Sequence, residues 1–376
     1  MKASVSQQQL AHGLSIVSRA VSPRSTLPVL ANILVATDEG RLRLSATNLE
    51  LGITCWIGAR IEEEGSTTVP ARTFTDLVGM LPGEQVALNL NTRTQTLTVK
   101  CGSSVTDIKG IDAQEFPPIP VPDLSDGIQL NVADFKEMIQ QVVFAASTDE
   151  ARPVLTGVMV SVSGSEISLV ATDGFRVSVR KAELTSVVSR TVSAIIPARA
   201  LSELARIATD GEQMVTMIVP PARGQVIFHL KDVELVSQLI EGNFPDYKAI
   251  FPRAFKTRTI ISTGGLLKAC KQAEIIAREG TNVARLNLIP GGDMKPGKVE
   301  ISAVSEETGS SEIELDATIE GISLLIAFNV RFLREVLEVV KTPNVSLETN
   351  AATTPGMIRP VGDEHYSHVI MPMHLG

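Results

Sequence analysis

The chain has 376 residues, of which 44% are apolar and 20% are charged, so it can bury cores and extensive disorder is excluded. Its formal net charge of −8 excludes a uniformly basic nucleic-acid-binding protein, so any basic surface must be local. Three scattered cysteines, Cys55, Cys101 and Cys270, exclude a disulfide framework and predict small buried side chains. Because no signal peptide or membrane-spanning run is found, we expect a soluble, cytoplasmic protein without membrane contact.

In chain order, apolar residues at helical and at alternating spacings predict a similar series of elements three times over. The predicted helices cover residues 10–21, 74–81, 135–146, 201–208, 265–278 and 331–340. Short β-branched or alternating runs between them predict strands, among them residues 42–46, 86–90, 97–100, 167–171, 226–230 and 299–303.

The same landmarks return along the chain, which indicates an internal repeat. The segment Val69–Arg72 returns as Ile196–Arg199, and each copy precedes one apolar helical face. The sequence Pro28–Leu30 returns as Pro153–Leu155. The third copy keeps both helices but lacks this Pro-Val-Leu sequence. The repeats predict three α+β domains, each with two helices packed on antiparallel sheets, over residues 1–121, 122–252 and 253–376.

Charge is divided between helices and strands. In the helix predicted at 265–278, the basic side chains of Lys268, Lys271 and Arg278 share one face, opposite the apolar face. Acidic residues concentrate in strands and loops, as at 62–64 and 312–320. For one helix an ordinary solvated face explains the pattern equally well, but its recurrence favours helices that face a polyanion without reading its sequence.

The whole chain resembles the bacterial DNA polymerase III beta subunit family, the replicative sliding clamps. The resemblance rests on six stretches in order along the chain, namely Ser25–Leu30, Val69–Arg72, Ala171–Arg176, Glu241–Tyr247, Phe328–Val330 and Val369–Leu375. It implies a head-to-tail homodimer whose six domains form a ring, with helices towards double-stranded DNA and sheet outside. Its implied function is to encircle duplex DNA without sequence specificity and to tether the polymerase III catalytic subunit. Further implied partners are the clamp loader and other proteins that carry a clamp-binding motif.

The resemblance also implies two sets of site residues. The DNA-facing positions that match the family are Arg24, Arg72, Arg152 and Arg199, which join Lys268, Lys271 and Arg278 from the helix pattern. Where relatives often have aromatic residues after Arg152, this chain has Pro153 and Val154, so a DNA contact from those side chains is not expected.

The second set is a groove for short extended peptides between the second and third domains. Its residues are Leu155, Thr172, Gly174, Phe175, Arg176, Val177, Pro245, Ile250, Asn329, Phe332, Val369, Ile370, Met371, Pro372 and Met373. Apolar walls with adaptable methionines suit a peptide site, although Val369–Met373 also reads as a last core strand. Phe175 and Ala249 differ from some relatives, so the peptide preference is expected to differ.

Catalytic and cofactor patterns are weak. Asp173 reads as a turn-capping carboxylate, and the spacing of His365, His368 and His374 does not favour a metal site. Without a phosphate-binding glycine loop, we expect no intrinsic nucleotide hydrolysis, so an external ATP-driven loader would be needed. We expect no enzyme activity and no cofactor. The alternative is a diverged three-repeat scaffold that binds peptides without encircling DNA.

Overall fold

The computed structural model describes residues 1–23, 25–120, 123–209, 214–221, 223–292 and 295–374. The chain divides into two compact units, one formed by residues 1–134 and 203–239, the other by residues 135–202 and 240–376. The division does not follow the three sequence repeats, because within each unit a sheet continues from one repeat into the next. The repeat boundaries therefore stay a prediction.

The described residues form six α-helices, two in each repeat. They are α1 (Gln7–Val17), α2 (Ala71–Met80), α3 (Val132–Val142), α4 (Ala198–Ile207), α5 (Thr263–Ala277) and α6 (Val330–Val339). All six confirm helices expected from the apolar spacing. The expected last turns at 18–21 and 143–146 instead hold the 3₁₀ turns Ser18–Ala20 and Val143–Ala145, since a final helical turn often tightens in this way.

The strands of the first repeat are β1 (Lys2–Ser6), β2 (Asn32–Asp38), β3 (Arg41–Thr47), β4 (Leu51–Gly58), β5 (Arg60–Glu63), β6 (Ser66–Pro70), β7 (Gln85–Asn91), β8 (Thr96–Cys101) and β9 (Ser104–Lys109). Those of the second are β10 (Ile128–Asn131), β11 (Gly157–Thr172), β12 (Arg176–Pro197), β13 (Met214–Ile218), β14 (Gln225–His229) and β15 (Val233–Gln238). Those of the third are β16 (Thr257–Ser262), β17 (Val283–Ile289), β18 (Gly297–Ser305), β19 (Gly309–Gly321), β20 (Leu324–Asn329), β21 (Asn344–Thr349), β22 (Gly356–Pro360) and β23 (Tyr366–Ile370). Each short run predicted as a strand lies within or overlaps one of these.

Every pairing between the named strands is antiparallel. The first unit holds a five-stranded sheet in the order β5-β1-β7-β8-β9 and an eight-stranded sheet in the order β10-β13-β14-β15-β4-β3-β2-β6. The second unit holds ten strands in the order β11-β12-β23-β22-β21-β16-β19-β18-β17-β20. The repeats join at two equivalent ladders, because the last strand of the second repeat pairs with β4, and the last strand of the third pairs with β12.

A polar side chain caps the first helix of each repeat. Ser6 accepts from Gln9 N at 3.2 Å, Asn131 from Asp134 N at 3.1 Å, and Ser262 from Gly265 N at 3.2 Å. These bonds satisfy backbone donors that a helix leaves unpaired at its N-terminus and so fix where each helix starts.

The predicted apolar helix faces are the faces that pack on the sheets. In α5, Leu266, Cys270, Ala273 and Ala277 are buried in one core with residues of β17 and β18. Cys55 and Cys101 are buried as well, and all three cysteines are free thiols, as expected. No helix among the described residues is long and apolar enough to cross a membrane.

Candidate peptide groove and DNA-facing surface

The turn between β11 and β12 places the first groove residues. Thr172 Oγ1 donates to Arg176 O at 2.7 Å and accepts from Gly174 N at 3.1 Å, while Asp173 Oδ1 accepts from Phe175 N at 2.9 Å. Gly174 takes a φ of 94°, which suits glycine. The carboxylate of Asp173 therefore caps the turn, as expected, and leaves Phe175 at the surface with 58% of its area exposed.

Arg176 follows this turn and is enclosed, with only 6% of its area exposed. Its guanidinium donates to Asp173 Oδ2 at 3.1 Å, to Glu335 Oε2 at 2.5 Å and to Phe144 O at 2.7 Å. The same group lies 5.3 Å from the centre of the Phe144 ring and 4.2 Å from that of Phe332. Arg176 is therefore a buried side chain that connects the turn to α6 through its hydrogen bonds to Asp173 and Glu335.

Glu335 is held ionised by its neighbours. Burial of the carboxyl raises its pKa, but hydrogen bonds from Arg331 and Arg176 outweigh that effect and leave the pKa below its usual range. In the structure Glu335 and Asp173 both pair with the guanidinium of Arg176.

The segment after β23 lies along the surface. Met371 N donates to Phe175 O at 2.8 Å, and Met373 N donates to Ala327 O at 2.8 Å. Val369 and Ile370, at the end of β23, are buried. For these two residues the alternative interpretation of the segment, as a last core strand, applies. Met371, Pro372 and Met373 reach the surface and are available for contact.

A cavity of about 690 Å³ opens beside this segment. Six predicted groove residues line it, namely Phe175, Asn329, Phe332, Met371, Pro372 and Met373. The other lining residues were not predicted, and they are Thr281, Val283, Arg285, Ser302, Val304 and His374. The alternation of buried and exposed residues in β17 and β18 could have indicated that these strand residues face outward, but not that they meet the C-terminal segment.

The remaining predicted groove residues lie outside the lining of this cavity. Thr172 is buried in the turn, and Val177 is buried in a small cluster against which Ile250 packs. Leu155 is half-buried and Pro245 is exposed. Val177 and Ile250 share this cluster with Val170 and Val179.

Val154, the second residue after Arg152, packs on the loop before Pro245. A Cβ added at Gly242 would lie 2.7 Å from Val154 Cγ2, and Gly242 takes a φ of 132°. The loop thus approaches Val154 closely and requires glycine at this point.

The predicted DNA-facing side chains are exposed wherever they are described, and Arg24 lies outside the described residues. Several carry an acidic neighbour: Arg152 Nε lies 3.1 Å from Asp149, and Lys271 Nζ lies 3.0 Å from Glu338. Arg72 Nε lies 3.7 Å from Asp76, and Arg278 Nε lies 3.1 Å from Glu279. Surface pairs of this kind are weak, so their cations can exchange partners.

The histidines near the C-terminus do not form a metal site. His368 is fully buried, and its Nδ1 lies 2.6 Å from Ser178 Oγ. Burial, with a further contribution from the charge of Arg176, holds the pKa of His368 well below its usual range. Among the described residues, no three His, Cys, Asp or Glu side chains are placed to share a metal ion.

Comparisons with known proteins agree along the whole chain. Three family profiles match, those of the DNA polymerase III beta subunit N-terminal domain at residues 1–120, central domain at 129–246 and C-terminal domain at 248–374. The chain is 35% identical over 364 residues to the beta sliding clamp of Staphylococcus aureus, covering 94% of each chain. It is 34% identical to that of Synechococcus elongatus over the full length of both. The crystal structure of the DNA polymerase sliding clamp from Bacillus subtilis matches with a TM-score of 0.94 and 31% identity, covering 100% of each chain.

Proposed function

Because the chain belongs to the DNA polymerase III beta subunit family, we propose that it is a ring-shaped sliding clamp that encircles duplex DNA and tethers the replicative polymerase. The observation that carries the proposal is that all three family domains match in order from residue 1 to 374. A peptide-binding scaffold without DNA encirclement is not favoured, because the relatives matched over their whole length are sliding clamps. The family is one of processivity factors, and the chain is not an enzyme.

The two ladders that join the repeats support the proposed ring closure. At each, the last strand of one repeat pairs with the equivalent strand of the repeat before it, as β15 does with β4 and β23 with the start of β12. The last strand of the first repeat, β9, pairs only with β8 among the described residues. The equivalent of β4 in the third repeat is the segment 309–316 of β19, whose described pairing is with β18 alone. Joining β9 of one chain to β19 of another repeats the same ladder twice and closes a head-to-tail dimer.

The basic side chains of the helices give such a ring a face for duplex DNA. Arg72, Arg199 and Lys268 lie on α2, α4 and α5, one helix from each repeat, and all are exposed. Lysine and arginine contacts to phosphates supply affinity without sequence specificity, and their strength falls as salt rises. A net charge of −8 then discourages DNA from binding elsewhere on the protein.

The groove beside the C-terminal segment would hold extended peptides of the polymerase, the clamp loader and other clamp-binding proteins. Its apolar lining, with few polar groups, suits short segments of several partners, and methionines adapt to different side chains. Such partners and a duplex DNA substrate place the protein in the bacterial cytoplasm, with the nucleoid.

Sedimentation equilibrium tests the ring directly. With 40.2 kDa per chain, a dimer has a mass of about 80 kDa (2 × 40.2). Val105, exposed on β9, lies on the proposed edge, so Val105→Glu should shift the protein towards monomers. Val187→Glu changes a valine that is even more exposed, on the long β11–β12 hairpin, and should leave the dimer intact. A native chain that sediments as a monomer at micromolar concentration would contradict the proposal.

A further inference from the structure

Exposed apolar side chains gather around the cavity beside the C-terminal segment. Phe175, Val304 and Met371 all line it, and 58%, 67% and 37% of their respective areas are exposed. Single exposed apolar residues are common on soluble proteins, but a contiguous apolar surface around a cavity marks an interaction site.

Four of the twelve residues that line the cavity lie outside the predicted groove on the outer face of β17 and β18. Val283 and Arg285 face outward on β17, because Ala284 and Leu286 between and after them are buried. On β18 the same alternation turns Ser302 and Val304 outward, while Ile301 and Ala303 are buried. These two strands are paired, with Arg285 opposite Ser302, so their outward side chains form one surface.

We infer that these four residues, Val283, Arg285, Ser302 and Val304, which we call the extension, bind an additional apolar side chain of the partner segment held in the groove. The inference rests on the proposed peptide binding and names a part of that site which the predicted groove residues do not cover.

Continuity with the groove identifies the occupant. Phe175, Phe332 and Met371 line the same cavity as the extension, so a segment lying on them is already in contact with it. The cavity volume of about 690 Å³ lies within the range that accommodates a ligand of several side chains. The extension contributes two valines and a single charged side chain, which favours an apolar group on the partner.

Peptide binding to the full-length chain tests the inference. Two fluorescent peptides from the polymerase catalytic subunit are compared by anisotropy, a short one that covers only the clamp-binding segment and a longer one that keeps the flanking residues. The native chain should bind the longer peptide more tightly. Val304→Asp should weaken the longer peptide roughly tenfold, the scale expected for burying one apolar side chain, and should leave the short one unchanged. Val187→Asp, the matched control, should change neither.

Each other outcome overturns the inference. Equal affinity of the two peptides for the native chain would mean that the extension holds nothing. An equal loss for both peptides in Val304→Asp would mean that the substitution acts on the groove itself. A shift in sedimentation by Val304→Asp alone would make this surface a contact between copies of the chain. If neither peptide binds the native chain, the proposed peptide binding fails first, which separates that failure from the others.

Discussion

The guanidinium of Arg176 lies 4.2 Å from the centre of the Phe332 ring, joining a turn of the second repeat to a helix of the third. The same guanidinium bonds to Glu335, one turn further along α6. Phe332 lines the cavity, whereas Arg176 does not. Arg176 therefore acts on the groove by positioning its wall.

Replacing Arg176 should destabilise the protein strongly. Arg176→Met removes the enclosed cation that pairs with both Asp173 and Glu335. Because Arg331 still pairs with Glu335, the expected cost is that of lost hydrogen bonds between charged groups, roughly 1.5–3 kcal/mol. Arg331→Met removes an exposed partner of the same carboxylate and should cost less than about 1 kcal/mol. Calorimetric Tm values of both variants provide the check, and similar Tm values would contradict the positioning role.

Stability should fall with pH in a window set by His368. Burial lowers the pKa of His368 in the folded protein, so the folded state keeps a neutral imidazole while the unfolded chain takes up a proton below about pH 6.5. The contribution is therefore present above that pH and is lost as the pH falls through it. Tm measured from pH 7.5 to 5.5 should drop less steeply in His368→Gln than in the native chain. His365→Gln, an exchange at an exposed histidine, should retain the native slope.

The helices and the strands could be predicted from the sequence because their faces are set by local periodicity. The buried face of α5, with Leu266, Cys270 and Ala273, follows directly from residues three and four positions apart. The turn at Asp173 was predictable for the same reason, since its bonds are local. The pairing of Arg176 with Glu335 was not, because the residues are 159 positions apart and only the fold brings them together.

Part of the lining of the cavity could be predicted from the sequence. The family resemblance supplies Phe175, Asn329 and Met371, which line the cavity, but it supplies Val369 and Ile370 as well, which the strand buries. The alternation of residues along β18 indicates that the side chain of Val304 faces outward. It does not indicate which other outward-facing residues lie next to Val304. That information lies in sheet order, which the sequence pattern does not carry.

Peptide binding should depend on the surface of the C-terminal segment. Met371→Glu places a charge in an apolar cavity and should weaken binding of the polymerase peptide at least roughly tenfold. Leu325→Glu alters an exposed leucine on β20 that does not line the cavity and should bind as the native chain does. Isothermal titration calorimetry gives both affinities, and an unchanged Met371→Glu would remove this segment from the site.

Charge reversal on α5 and its C-cap should weaken contact with DNA. Changing Lys268, Lys271 and Arg278 to Glu introduces repulsion towards phosphates and should shorten retention on DNA roughly tenfold or more. A control variant changes Lys100, Lys181 and Lys231 to Glu, which alters the net charge by the same amount as the first variant does. These three lysines are exposed on strands or on a loop that connects strands. If the two triple variants are retained equally, α5 does not face DNA.

Retention on circular and linear DNA tests the central claim most directly. The native protein is loaded onto a nicked circle by its clamp loader, the salt is raised to strip ordinary phosphate contacts, and bound protein is followed by gel filtration. A closed ring stays on the circle at high salt and is lost as soon as the DNA is cut to a linear form. Equally fast loss from circular and linear DNA would contradict encirclement.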